Sequence, residues 1–527
     1  MLSSLNGFLD TSPSIIQVIS ILGTAYGAIQ YIEAKRSPLN AIPTVGYSGV
    51  ITSYITAIRW LLNGSELIRE GSDKYPNRVF KIAAMFKWVI VLNGEQYVDD
   101  IRNASDDVLS FVEAIEETTH TKYVLGPVAE HPHHVVTLRS NVTRNIATKS
   151  DEIRDEVRAA LHDLIPATEG PPHVNPLIGV YSQNDRLDTS SEFPSVSVGP
   201  DSYAGIISKR LAGRDPGYCA AMEKYLVDVL ISAKIIDCFP ELFRPLVGNY
   251  VTPVAKTMKQ VMKYLAPTVQ ERIARYEQYG KDDTERPLAL GDGDGRLSPH
   301  SPRYYQSNFT PKLCGYAHYY NGKLISLKVF TQTMYDLAVH PEYLDDLREE
   351  VEGAIREHGW SKVAIQKLRK LDSFIKESLR VNPTSSLVLL RKTLQNWTTT
   401  DGTLIPAGSF LGVAGSATQS KNAFEDAHEF KGFRFAEMRD RDEGLDSMKH
   451  QMVSLDAEHI IFGYGRHACP GRFFAVHEIK IMLAQIILEY DVQMENGSMD
   501  RPPSLSFESN DVPNPKAKMR FRKRQMD

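Results

Sequence analysis

Ten residues near the C-terminus combine types that suggest chemistry: Phe462-Gly-Tyr-Gly465-Arg-His467-Ala-Cys469-Pro-Gly471. The glycines let the backbone pass close to something flat and bulky. Directly after them comes an apolar helical pattern over 472–490, with Phe473, Phe474, Val476, Ile479, Met482, Leu483, Ile486 and Ile487. A cysteine just before a helix meets the unpaired N–H groups and the dipole of that N-terminus, and both favour its thiolate. A stabilised thiolate beside a glycine-rich loop suits an axial ligand of iron. The plain alternative is a structural cysteine buried in a turn, and the ten-residue context argues against it.

A second set carries charge. Glu377-Ser-Leu-Arg380 stands in a helical pattern, and i,i+3 spacing puts the pair on one face. Taken alone this is weak, because most such pairs are surface salt bridges. Four cysteines in 527 residues make no disulfide framework and fit no zinc spacing. The folded part is therefore expected to face a reducing compartment. Cys219 and Cys238 read as small buried hydrophobes. A formal charge of −5 makes the chain a poor nucleic-acid binder, and 42% hydrophobic residues exclude wholesale disorder.

The elements that must position these residues are mostly helical. Helical spacing runs over 150–165 (Ile153, Val157, Leu161, Leu164), over 218–280 with breaks at Phe239-Pro240 and Ala266-Pro267, and from Thr333 to Arg380. Residues 167–202 read as irregular loop. Val388 to Leu411 looks strand-like, with turn signals at Asp401-Gly402 and Pro406-Ala-Gly408. The basic run Lys516–Arg524 reads as a solvated terminal strand. At the other end, Ile15 to Ile32 is 18 residues without a charge, about 27 Å as a helix. Lys35 and Arg36 follow, which places the C-terminal side in the cytosol. No basic residue precedes the run, so it is not a cleaved signal peptide. The expectation is a membrane anchor over 1–37, a hinge at Pro38–Gly46, and one cytosolic catalytic domain over 38–527. The Asn-x-Ser/Thr sequons at Asn63, Asn103, Asn141, Asn308, Asn396 and Asn496 would then stay unmodified.

The ten-residue stretch closely resembles the haem-ligand loop of cytochrome P450 monooxygenases, Phe-x-x-Gly-x-Arg-x-Cys-x-Gly, at Phe462, Gly465, Cys469 and Gly471. The resemblance implies a mainly α fold with a smaller β portion, haem b with Cys469 on its iron, and a single-pass anchor in the endoplasmic reticulum membrane. His467 stands where the family has a propionate-binding Arg, a form seen in filamentous-fungal members. Glu377 and Arg380 would form a buried network with Arg434 of Phe430-Lys-Gly-Phe433-Arg434-Phe435. Arg391 resembles the strand Arg that contacts a propionate. Val135-Val-Thr-Leu-Arg139 keeps only the Arg of a Trp-x-x-x-Arg motif, so Arg139 is a further propionate candidate. His131, His133 and His134 read as structural. The implied activity is O2-dependent hydroxylation of an apolar small molecule, a terpenoid in fungal secondary metabolism. Electrons would come from NADPH through NADPH–cytochrome P450 reductase; Arg466, Arg472 and Lys480 flank the loop and read either as part of a basic docking face for it or as solvated surface. Membrane lipid is the other expected partner.

The pattern breaks once. The family's distal helix carries an acid or amide near a Thr, and it should end just before Phe330-Thr-Gln-Thr. Pro287 to Lys328 stands there instead. It is rich in Gly, Pro, Tyr and Asn, holds no acid–Thr pair, and is not expected to form one long helix. Thr331 and Thr333 fall after the expected site, so no catalytic hydroxyl is assigned. Back-translated and read one base later, Lys312 to Asn321 permits Asn-Phe-Ala-Ala-Met-His-Thr-Thr-Thr, which the family would have there. The segment 287–328 thus reads as an out-of-frame or mis-spliced rendering, with Cys314 outside the true frame. A genuine divergent insert is the alternative. It would make the chain a haem-binding protein without turnover, or a haem-thiolate isomerase or dehydratase that needs no oxygen relay.

Overall fold

The computed structural model describes residues 31–32, 35–124, 143–164, 196–198, 216–264, 316–415, 424, 426–442, 444–495 and 497–524. The helices used below are α1 (Ser53–Lys74), α2 (Gln96–Asn103), α3 (Phe111–Thr119), α4 (Thr143–Leu164), α5 (Pro216–Asp237), α6 (Tyr316–Val339), α7 (Leu344–His358), α8 (Arg369–Val381), α9 (Arg434–Arg441) and α10 (Arg472–Glu489). The strands are β1 (Thr44–Val45), β2 (Val79–Ala83), β3 (Trp88–Leu92), β4 (Leu109–Ser110), β5 (Val196–Val198), β6 (Leu387–Thr393), β7 (Trp397–Thr398), β8 (Leu404–Ile405), β9 (Phe410–Ala414), β10 (Tyr490–Met494), β11 (Leu505–Phe507), β12 (Asn510–Val512) and β13 (Met519–Lys523).

The helices form where the apolar spacing placed them. Ile153, Val157 and Leu161 of α4, Leu347 and Val351 of α7, Leu371, Ile375 and Leu379 of α8, and Ile479, Met482 and Leu483 of α10 share the largest core cluster. Nearly every side chain of α10 from Val476 to Ile487 is buried, as expected of a helix apolar almost all round. The strands assemble by a longer route. One sheet has the order β1-β2-β3-β9-β6-β4, so residues 79–92 lie beside residues 387–414. Strands β2 and β3 were missing from the sequence reading, although both are β-branched and aromatic runs. Register slips between Val388 and Arg391 in the β6–β9 pair, and Leu389 there has φ of 52°. Such a bulge re-aims the next side chain, here the buried Arg391.

Several expectations change. α6 begins at Tyr316, so residues 316–328 are helical although the sequence reading started the helix at Thr333. No proline falls between 316 and 339, and Gly322 alone costs a helix only about 1 kcal/mol. The basic C-terminal strand is half buried. β13 pairs with β10, burying Met519 and Phe521, while Arg522 reaches Asp491 at 2.8 Å. Cys238 is exposed beyond the end of α5, with its Sγ on the Lys234 carbonyl at 3.3 Å. It ends a helix over solvent, so it is no core hydrophobe. The segment 15–32 lies almost wholly outside the described residues, and among those described no helix is long and apolar enough to cross a membrane.

A small apolar cluster stands apart from the large ones. Tyr225, Val229 and Ile236 of α5 pack with Val124, Val247, Val254 and Met258. Charged pairs link this unit to the remainder: His120 to Asp237 at 2.7 Å, and Lys234 to Glu508 at 2.7 Å.

α10 also carries a pH-sensitive group. His477 Nε2 meets the Ser150 hydroxyl of α4 at 2.9 Å. Burial pushes its pKa down to about 4, and the charges of Lys480 and Lys362 add to this. In the unfolded chain the imidazole titrates near ~6.5. Between those values the unfolded chain binds a proton that the folded chain refuses, so acid destabilises the fold. The expected loss from this group is about 2 kcal/mol by pH 5. Urea unfolding of His477→Gln at pH 7 and pH 5 should show a smaller difference than the parent. An equal difference would assign the acid sensitivity elsewhere.

Candidate functional site

The Cys469 N–H donates to the Phe462 carbonyl at 2.7 Å and closes the loop between them. Gly463 and Gly465 sit at φ of 74° and 69°, the region that favours glycine. A Cβ at Gly465 would lie 2.9 Å from Arg102 Cγ, so the loop also needs glycine for space. Pro470 and Gly471 then start α10. The N–H groups of Gly471 and Arg472 lie near the Cys469 sulfur. They and the Arg472 charge draw its pKa down, but burial outweighs them and leaves the thiol raised. The helix terminus therefore does not stabilise the thiolate by itself, contrary to the sequence expectation. A half-buried sulfur with two N–H donors and a costly negative charge suits a cationic metal partner. Arg472 braces the loop from behind, bonding the carbonyls of Cys469 and Val453, each at 3.0 Å.

α8 holds the charged network. Glu377 and Arg380 are both 0% exposed. Arg380 donates from Nε at 2.7 Å and from Nη2 at 2.8 Å to the two Glu377 oxygens. Arg434, at the start of α9, donates from Nε to the same oxygens at 3.1 and 3.2 Å. The Lys431 N–H adds a bond at 2.9 Å. Both guanidiniums also reach the Glu429 carbonyl. Ser373 ties the two helices together, donating to the Gly432 carbonyl and accepting the Phe435 N–H. The three residues named from sequence thus form one buried cluster.

A cationic group gathers beside the cysteine loop. His467 Nε2 meets Asp106 at 2.8 Å, and its ring stacks on Phe111 at 5.0 Å. Arg466 lies 3.9 Å from the other Asp106 oxygen. The His467 hydrogen bond, with the Arg466 and Arg391 charges, keeps the Asp106 carboxyl low. Burial brings the Arg391 pKa down to about 10, and its guanidinium stands over the Phe111 ring. Three basic side chains around one carboxylate leave room for further anionic oxygens, which is what the two carboxylates of a haem require. Arg139, His131, His133 and His134 lie outside the described residues, as do the side chains of Cys219 and Cys314.

Lys480 does not belong to a docking face. It is buried in α10 and paired with Asp372 at 3.1 Å. Thr333 donates within its own helix to the Val329 carbonyl at 2.9 Å, and Thr331 is likewise buried. Sequence reasoning missed Lys376, whose ammonium bonds the Lys449 carbonyl at 3.2 Å and stands 4.4 Å over the Phe435 ring. Burial draws its pKa down to about 8. It also missed Asp336, a lone acid in the apolar run of α6. That isolation was the available signal.

Removing one partner of the Glu377 cluster leaves uncompensated buried charge. Glu377→Gln is expected to cost about 3 to 5 kcal/mol of folding stability. Arg434→Lys keeps a charge but loses the planar fork, so its cost should be smaller. Urea unfolding of both variants checks the size and the order. A Glu377→Gln protein as stable as the parent would mean that the charges are not coupled.

The comparisons with known proteins agree with this geometry. The family described as cytochrome P450 matches residues 328–521. Cytochrome P450 monooxygenase 151 of Postia placenta is 35% identical, over 97% of this chain and 99% of its own length. Cytochrome P450 monooxygenase 71 of the same fungus is 32% identical, over 98% and 99%. Ent-kaurene oxidase of Gibberella intermedia is 26% identical, over 98% and 95%. With relatives matched over nearly its full length and the cysteine loop and buried Glu–Arg–Arg cluster in place, the chain belongs to the cytochrome P450 family of haem-dependent monooxygenases.

Proposed function

We propose that Cys469 is the axial ligand of haem b and that the enzyme hydroxylates an apolar terpenoid in fungal secondary metabolism. The carrying observation is the loop itself: a half-buried sulfur on a glycine-rich turn closed by the Cys469 N–H on the Phe462 carbonyl, at the start of α10. Arg391 and His467, with Arg139, are assigned to the propionates. Phe462 and Gly465 shape the loop around the ligand. When bound, the haem supplies activation of O2 for insertion of one oxygen atom into a C–H bond. The chain's residues hold the sulfur in place, keep bulk water from it and neutralise the anionic edge of the ring. The terpenoid reading leans on the similarity to a protein named ent-kaurene oxidase.

Electrons are assigned to NADPH by way of NADPH–cytochrome P450 reductase. A cavity of about 330 Å³ beside the cysteine loop supports a docking place, lined by Arg466, Arg472 and Phe473 among others. Arg472 stacks on Phe473 at 4.4 Å, and Phe473 is 40% exposed. Membrane contact is the further proposal. Tyr54, Ile55, Ile58 and Leu62 of α1 are exposed, as are Leu242, Leu246 and Tyr250 after α5. Glu508 joins the two regions, with its N–H on the Leu61 carbonyl and its carboxylate on Lys234. These surfaces suit a lipid face next to an anchor over 1–37, with the domain over 38–527 on the cytosolic side of the endoplasmic reticulum. Glycan found at any sequon would refute that topology. Residues 287–328 remain assigned to an out-of-frame or mis-spliced stretch. Sequencing the transcript across them decides it, and an intact frame matching this chain ends the idea.

The reduced protein with carbon monoxide should show a thiolate-type Soret band that Cys469→Ser abolishes. A band unchanged in that variant would remove the ligand assignment. With reductase and NADPH, a terpenoid panel should yield a hydroxylated product. A normal spectrum without NADPH-dependent turnover would instead favour an oxygen-independent isomerase or dehydratase, or haem binding alone.

A further inference from the structure

A second charged cluster lies on α8, one residue around from Glu377. Asp336 of α6 is 1% exposed. It accepts from the Ser378 hydroxyl of α8 at 2.5 Å and from the Asn382 amide at 3.3 Å. Arg501 donates to it from Nε. The same guanidinium donates from Nη2 to the Gln332 side chain, one turn earlier on α6. The Gln332 amide in turn donates to the Ser504 hydroxyl at 3.0 Å. The Tyr335 hydroxyl adds a bond to the Asn514 carbonyl at 2.9 Å. α6 is therefore gripped at residues 332 and 336, by α8 on one side and by the C-terminal segment on the other.

Two grip points one turn apart fix a helix in rotation as well as along its axis. Residues 316–325 lie upstream on the same helix, about 17 to 30 Å away at ~1.5 Å per residue. A tilt of about 10° at the grip would move residue 316 by about 5 Å. An apolar contact could slide by such an amount. A buried carboxylate held by three donors cannot, because each lost bond leaves a costly unpaired group. The Ser378 and Asn382 bonds refer this grip to the helix of Glu377 and Arg380, and Lys376 and Asp372 of that helix hold the Gln451 carbonyl and the Met452 N–H upstream of the cysteine loop.

We infer that Asp336 and Arg501 are positioning residues that set the distal helix α6 against the cysteine side of the haem site. This rests on the reading of a haem at Cys469, with α6 across from it; Gln332, Asp336 and Arg501 lie outside 287–328, so the grip is the same in either reading frame. Imidazole is the probe, because it binds iron from the side opposite the thiolate.

The experiment uses the full-length haem-loaded chain with Asp336→Asn, Arg501→Gln and the double variant. Each single variant should keep the thiolate-type carbon monoxide band, since the cysteine loop is untouched. Each should shift the imidazole Kd, read from the Soret band, by fivefold or more. The double variant should shift it no further than the larger single effect, because both act through one contact. Amide exchange over residues 329–335 should quicken at least tenfold. An imidazole Kd within twofold of the parent, with only a lowered Tm, would overturn the assignment and leave a merely structural pair. Should neither charge variant fold, Gln332→Leu removes one corner and spares the ion pair. It is expected to shift the Kd about threefold, and a shift below 1.5-fold overturns the inference. A parent that lacks the thiolate-type band refutes the Cys469 reading, a separate outcome from an unmoved imidazole Kd.

Discussion

Glu377 carries a negative charge where no water reaches it, and two guanidiniums close on it from different stretches of chain. That interaction tolerates no slack. A buried carboxylate with one arginine missing is worse than no pair at all. Arg380 is a near neighbour on α8, but Arg434 arrives only after the chain has crossed the sheet and returned. Closing the cluster therefore forces the segment 426–435 against α8. The loop from 451 to 459 is then pinned by Lys376, which bonds the carbonyls of Lys449 and Gln451. The residues of the cysteine loop follow directly. Cys469 itself is then held locally, by its N–H on the Phe462 carbonyl and by Arg472 on its own carbonyl.

α8 concentrates this logic. From Leu371 to Arg380 every side chain is buried, yet six of them are polar or charged: Asp372, Ser373, Lys376, Glu377, Ser378 and Arg380. A helix buried all round normally meets only apolar neighbours. Here each polar side has an assigned partner. Asp372 takes Lys480 of α10 and the Met452 N–H, Ser373 takes α9, Glu377 takes the arginines and Ser378 takes α6. One short rod thus carries the coordinates of three others. Such dense polar satisfaction specifies one arrangement where an apolar core would allow several.

Much of this was legible in the sequence, and the parts that were not share a cause. The cysteine loop could be read because glycine, cysteine and helix start are contiguous. Helices α4, α7, α8 and α10 could be read because their apolar spacing is local. The Glu377–Arg380–Arg434 cluster needed a resemblance, since spacing alone cannot distinguish a buried pair from a surface one. Strands β2 and β3 pair with each other across a short turn, and only the neighbour that seats this hairpin in the sheet, β9, lies some 300 residues away. Lys480 was misread because a lysine on a helix looks solvated until its acid, Asp372, is seen over 100 residues upstream. The Cys469 electrostatics went the other way from expectation because burial is a tertiary quantity. The helix terminus is visible in sequence, and its competitor is not.

The small apolar cluster around Tyr225 and Met258 shares no residue with the larger ones. In thermodynamic terms a unit with so little core of its own can open locally without the largest core. The unit of α5 and residues 247–262 has the shallower well, because its own apolar area is small and ion pairs such as Lys234–Glu508 and His120–Asp237 help moor it. Dissolved salt weakens a partly exposed ion pair and leaves an apolar core nearly untouched. Ionic strength therefore acts on the mooring of this unit, while the fully buried Glu377–Arg380 pair is screened far less.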